Sequence, residues 1–239
     1  MTVEVLADVE SVARHAAEMI AGEARAAVKA RGRFTVAVSG GRTPWAMLRA
    51  LRALDVPWRD VHVLQVDERI APANHADRNL THLYASLLAP AQSGAALIHA
   101  MPVESVDLDQ AAVRYAQTLV DVAGSPPILD LIHLGLGLDG HTASLMPGDS
   151  VLDVRDADVA LTEAYQGRRR MTLTYPVLDR ARRVLWLVTG EDKADMLVRL
   201  RHGDPAIPAG RVRQDHAVVL ADRAAARPSE IAVPSRREG

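Results

Sequence analysis

Residues 128–137, ILDLIHLGLG, are apolar at almost every position and end on glycines. A strand built from such a run has no face to offer to water. It belongs in a parallel sheet with helices on both faces, and that requirement constrains the fold more than any other part of the chain. The flanking pattern agrees. Apolar residues recur at helical spacing over 9–31, and Gly32 is the stop signal. RFTVAVSGG (33–41) reads as a strand, 44–54 as a helix, VHVLQVDER (61–69) as a second strand and 77–89 as a helix. ALIHAM (96–101) is a short strand, and 109–122 is a helix with Leu108, Ala112, Tyr115, Ala116 and Leu119 as its apolar stripe.

The second half is richer in strands: DVALTEA (158–164), RMTLTY (170–175), RVLWLVTG (183–190) and AVVLAD (217–222), with a helix over 191–203 closed by Gly203. Alternating strand and helix predicts an α/β fold, a doubly wound and mostly parallel sheet flanked by helices, with a smaller strand-rich C-terminal part. The 239 residues show no repeat, low-complexity tract or linker, so one domain is expected over 1–239. Aromatic residues are only 3% of the chain, which makes the expected core aliphatic.

Charge and cysteine content narrow the function. The formal net charge of −2 gives no electrostatic reason to expect nucleic acid or an anionic membrane as partner. No uncharged apolar run approaches the ~20 residues of a membrane span, and the first 32 residues do not read as a signal peptide. With no cysteine there is no thiolate nucleophile and no disulfide, and the reducing cytoplasm is the expected compartment. Monomer and homodimer fit the sequence equally well.

In doubly wound folds ligands sit beyond the carboxyl ends of the strands. Three predicted strand ends carry chemistry. VAVSGGRTP (36–44) leaves a strand through Ser39, Gly40 and Gly41, with Thr43 as expected N-cap and Pro44 as expected first helical residue. Backbone N–H groups here suit a phosphate, although an ordinary strand-to-helix turn has the same composition. LQVDERIAPANHADRN (64–79) ends in Asp67, Glu68 and Arg69, with His75 and Asn79 on the following loop. The cluster is either a solvated ion pair or a site in which Asp67 positions a group and Arg69 meets an anion or a polarised carbonyl. LGLGLDGHTASLMPG (134–148) places Asp139 and His141 among Gly135, Gly137 and Gly140. A histidine with its ordinary pKa near 6.5 suits general-base work at neutral pH. Alternation along 170–175 puts Arg170, Thr172 and Thr174 on one face, and Lys193 follows a strand-Gly turn.

SGGRTP, DERIAPANHADRN, GLGLDGHTASLMPG, RMTLTYPVL and VTGEDK occur in the order and approximate spacing of the 6-phosphogluconolactonases, which the chain resembles from about Val36 to LADRAAA near its end. The resemblance implies hydrolysis of 6-phospho-D-glucono-1,5-lactone to 6-phosphogluconate in the oxidative pentose phosphate pathway, with no metal or organic cofactor. It also implies a fold like that of the glucosamine-6-phosphate deaminase and ribose-5-phosphate isomerase group, which includes the CoA-transferases. Carried onto this chain, His141 is the expected base, with Asp139 or Asp67 orienting it and Arg69 stabilising the oxyanion or the phosphate. The expected substrate and phosphate contacts are Ser39, Gly40, Gly41, Arg42, Thr43, His75, Asn79, Gly137, Gly140, Arg170 and Lys193.

Three positions depart from the family pattern: Arg42 and Arg78 stand where Ser is usual, and Ala71 where Val is common. The deaminase branch shares the Asp-Glu and Asp-Gly-His segments but uses a Glu soon after the His. Met146 holds that place here and transfers no proton. A sugar-phosphate sensor on the same fold would carry a DNA-binding helix-turn-helix, for which the chain has no spare segment. No serine-hydrolase elbow and no HExxH are present.

Overall fold

A computed structural model describes residues 1–88 and 96–227. Among these, seven parallel strands form one sheet in the order β1-β10-β9-β6-β2-β3-β5: β1 (Thr2–Leu6), β2 (Phe34–Val38), β3 (Val61–Gln65), β5 (Leu97–His99), β6 (Leu131–Gly135), β9 (Val184–Val188) and β10 (Ala217–Asp222). A second sheet of three antiparallel strands, in the order β4-β8-β7, joins β4 (Asp67–Arg69), β8 (Arg170–Leu173) and β7 (Val159–Leu161). This small sheet is the strand-rich part expected from the second half, but it draws β4 from the first. The helices are α1 (Val9–Arg31), α2 (Arg42–Leu51), α3 (Asn79–Leu83), α4 (Leu108–Ala123), α5 (Tyr175–Arg180), α6 (Ala194–Arg201) and α7 (Arg223–Ala226).

Alternate residues of the inner strands feed two cores, one on each face of the large sheet. Leu185 and Leu187 of β9 pack with Phe34, Val36 and Val38 of β2 and the buried stripe of α1. Val184, Trp186 and Val188 of the same strand face the other way, with Ile132, Leu134 and the buried face of α4. The alternation of side chains along a strand therefore delivers the doubly covered sheet that ILDLIHLGLG demands.

β2 and β6 are neighbours, paired Val36 with Leu131 and Ala37 with Ile132. From β2 the order runs outward through β3 to β5, and from β6 it runs the other way through β9 and β10 to β1. The crevice between the ends of β2 and β6 is thus the point where strand order reverses, the place where such sheets bind ligands.

Four expectations need correction. VHVLQVDER is two strands: β3 ends at Gln65, and β4 pairs with β8 in the other sheet. The helix foreseen over 77–89 is α3 followed by a π-helical turn over 84–88; residue 89 lies outside the described residues. The helix foreseen from Pro44 begins at Arg42, so Pro44 is its third residue and Gly41 its N-cap. Thr43 is consequently no cap: its hydroxyl pairs with that of Thr189 at 2.8 Å. The strand β1 was not foreseen, because its pattern is half-exposed and its partner β10 lies at the far end of the chain.

Candidate active site

A cleft of about 400 Å³ opens at the reversal of strand order. Ser39 and Gly40 reach it from the end of β2, Gly137, Asp139 and His141 from the loop after β6, and Lys193 from the turn after β9. Asp67 and Arg69 enter on β4, Arg170 on β8, and Asn79 at the start of α3. Every strand end that the sequence singled out contributes to this wall.

The cleft presents an imidazole with a fixed orientation. His141 Nδ1 lies 2.5 Å from Asp139 Oδ1, and the same oxygen accepts the His141 backbone N–H at 3.1 Å. Burial pushes the Asp139 carboxyl up, but the hydrogen bonds from His141 and the imidazole's charge outweigh it and hold the carboxyl below its ordinary value. An ionised carboxylate only accepts, so Nδ1 donates, and the neutral ring carries its lone pair on Nε2. Gly137 makes this approach possible. A Cβ there would sit 2.2 Å from His141 Nδ1 and 2.7 Å from Asp139 Oδ1.

Asp67 is not the partner of His141. Its Oδ2 accepts from the Ser144 hydroxyl at 2.7 Å, and its backbone oxygen accepts from Asn79 Nδ2 at 3.0 Å. Asn79 in turn leaves no room beside Gly40, where a Cβ would lie 2.0 Å from Asn79 Oδ1.

The same cleft holds a cationic cluster. The antiparallel register sets Arg69 directly opposite Arg170, an unfavourable arrangement for two like charges. Burial lowers the Arg170 pKa and the charge of Arg69 lowers it further, while Asp67 opposes them. Buried polar atoms here lack a partner within the protein: Ser39 Oγ, Arg69 Nε and Arg170 Nε. Orphaned donors are costly to bury, and a bound anion offsets that cost.

Five expected contacts lie outside the cleft wall. Arg42 is exposed on the first turn of α2. Gly41 and Thr43 are used in starting α2 and in the Thr189 contact. The φ of +79° at Gly140 turns the loop against Ile207. His75 faces Arg168 at 3.3 Å and accepts the Asp77 N–H at 3.1 Å, so it braces a neighbouring loop.

Sequence reasoning treated Glu68 as part of a solvated or ion-paired cluster. It is fully buried, and its carboxylate accepts the backbone N–H groups of Arg69, Asn79 and Leu80, each at 2.8 Å. Arg78, the departure from the usual Ser, is buried beside it, 3.1 Å from Glu68 and 2.8 Å from Glu104. Glu68 therefore fixes β4 to the start of α3, which places Asp67, Arg69 and Asn79 together. Its spacing in sequence carries no sign of this. Tyr165, Gln166 and Leu138 also line the cleft and were not foreseen. Among the described residues no three His, Asp or Glu side chains converge as a metal-binding group.

A family model described as glucosamine-6-phosphate isomerases/6-phosphogluconolactonase matches residues 7–221. The chain belongs to this family. Within it, the chain is 35% identical to a 6-phosphogluconolactonase of Mycobacterium tuberculosis over 239 residues, covering 94% of this chain and 97% of that protein. It is also 35% identical to a 6-phosphogluconolactonase of Nostoc sp. over 203 residues, covering 83% and 84%. The solved 6-phosphogluconolactonase of Thermotoga maritima superposes with a TM-score of 0.79 at 25% identity, covering 92% of this chain and 98% of that one.

Proposed function

We propose that this chain hydrolyses 6-phospho-D-glucono-1,5-lactone, with His141 as general base. The observation that carries the reading is the presence of two unlike groups in one cleft: a carboxylate-fixed imidazole, and an in-register arginine pair with orphaned N–H groups. A δ-lactone bearing a phosphate on its exocyclic carbon has the matching polarity: an ester carbon at one end and a dianion at the other.

In this mechanism His141 Nε2 takes a proton from water while the water oxygen bonds to the lactone carbonyl carbon. Charge develops on the carbonyl oxygen. The tetrahedral intermediate collapses with cleavage of the bond to the ring oxygen, which takes the proton back from Nε2. Atoms balance as lactone plus water to hydroxy acid. Asp139 keeps Nδ1 as the donor and stabilises the imidazolium while it exists. Ser39, Gly40, Arg69, Arg170 and Lys193 hold the phosphate, so that binding of the remote dianion positions the ester. The mechanism uses side chains and water alone, and its setting is the oxidative pentose phosphate pathway. A deaminase-type proton shuttle finds no acid at the family's position, since Met146 is buried and carries none.

The test generates the lactone in place with glucose-6-phosphate dehydrogenase and follows its decay with and without the protein. Acceleration well above the spontaneous rate is expected, with much lower kcat/KM for unphosphorylated gluconolactone. Spontaneous decay in the presence of protein that binds 6-phosphogluconate would instead identify a sensor.

A further inference from the structure

Tyr165 packs against both the base and the arginine of the cleft. Its ring lies under the Arg170 guanidinium, 5.1 Å from the ring centroid, and meets the His141 ring edge-on at 6.0 Å. A tight turn puts it there. The Tyr165 N–H donates to the Arg168 oxygen at 2.9 Å, and the Arg168 N–H donates back at 3.3 Å. The two central residues, Gln166 and Gly167, have φ of +52° and +78°, the signature of a primed hairpin turn. The turn is clasped from outside. Arg168 Nε lies 2.8 Å from Asp77, whose backbone oxygen accepts from Arg69 at 2.8 Å.

The same hairpin lines two spaces: the main cleft and a recess of about 220 Å³ bounded by Arg69, Asp77, Tyr165, Gln166, Arg168 and Arg170. Arg170 borders both spaces and its Nε has no partner in the protein.

We propose that Tyr165 is a positioning residue for phosphate recognition: its π face holds the Arg170 guanidinium in place at the cleft wall. Attraction between a guanidinium and an aromatic face is strongest where water is excluded, as at this buried arginine. The inference rests on the lactonase reading for its substrate, but the placement of Arg170 can be tested without turnover.

The experiment compares wild type with Tyr165→Phe, Tyr165→Leu and Tyr165→Ala, using lactone turnover and calorimetric binding of 6-phosphogluconate. Phe keeps the π face and is expected to stay within about twofold of wild type. Leu and Ala are expected to raise KM for the phosphorylated lactone about tenfold and to weaken 6-phosphogluconate binding about tenfold, with a smaller change in kcat. Their loss in kcat/KM should be larger for the phosphorylated lactone than for unphosphorylated gluconolactone, whereas a collapse of the cleft would lower both equally. Leu matching Phe, or all variants binding as wild type does, overturns the proposal. If Ala does not fold, the Phe and Leu pair decides. A wild type that binds 6-phosphogluconate through Tyr165 without hydrolysing the lactone would refute the lactonase reading and leave the positioning role standing. Normal hydrolysis by every variant would do the reverse.

Discussion

The imidazole and the cationic cluster of the cleft are built in opposite ways. The imidazole site is local: Asp139 and His141 are two residues apart, Gly137 gives them room, and their hydrogen bond is already made. The cationic cluster is assembled from the ends of β2 and β9 and from two strands of the small sheet, and Ser39 Oγ, Arg69 Nε and Arg170 Nε are left unpaired. A group that must have one orientation before substrate arrives is fixed by its neighbours in sequence. A group that must give its hydrogen bonds to a ligand is placed by packing and kept from finding partners within the protein.

Five substitutions break or sharpen this contrast. Removing the base with His141→Ala should lower kcat by ~10²–10⁴ and change KM little, read by the coupled assay; a wild-type kcat would end the assignment. At the cationic cluster the split should invert. Arg170→Ala loses a charged contact and should raise KM by about 10- to 100-fold with a lesser change in kcat. If kcat falls instead and KM holds, Arg170 serves the oxyanion rather than the phosphate.

The scaffold behind the cationic cluster should respond to pH. His133 is fully buried, its Nδ1 accepts the Ser39 N–H at 3.2 Å, and burial drops its pKa to about 3. The unfolded chain binds a proton near the ordinary value while the folded chain does not. Stability is therefore full above about pH 6.5 and is lost as pH falls toward 3. Between about pH 7.5 and about pH 5 the loss from this group is about 2 kcal/mol, roughly thirtyfold in the folding constant. Urea midpoints at the two pH values check this, and His133→Asn should flatten the difference. An equal slope in the variant would assign the pH dependence to other groups.

Asp139→Asn leaves an acceptor near Nδ1 but removes its charge, so kcat should fall about tenfold with KM unchanged. A loss as large as that of His141→Ala would show that the charge, rather than the orientation, dominates. Smallest of all, Arg42→Ala should alter kcat and KM by less than about twofold, because that exposed side chain lies outside the cleft. A large rise in KM would move the phosphate toward the start of α2.

What the sequence disclosed divides along the same line. The segments carrying Ser39, Asp67 and His141 were legible because each follows an apolar run, although Asp67 begins β4 rather than ending β3, and the doubly wound sheet followed from the alternation of elements. The partner of His141 was not decided, since Asp67 and Asp139 are equally good carboxylates until coordinates put one on Nδ1. Glu68 and Tyr165 were missed for a common reason: each acts through residues distant in sequence and has no periodic or motif context of its own. The split of 61–69 into β3 and β4 was hidden because both strands are buried, and composition does not record a change of sheet. Arg78 shows the limit most plainly. A charged residue in a polar loop reads as solvated, and only the buried carboxylate beside it makes it interior.

The pairing of β1 with β10 has a consequence for how the molecule is made. Thr2 lies opposite Val218, so β1 waits for β10, about two hundred residues later in the chain, before its edge is covered on that side. During synthesis at ~5–20 residues per second, the nascent chain holds an unpaired strand for ten seconds or more. The half-exposed, Glu-bearing pattern of TVEVL suits that interval, because a fully apolar strand left open would be free to recruit another chain.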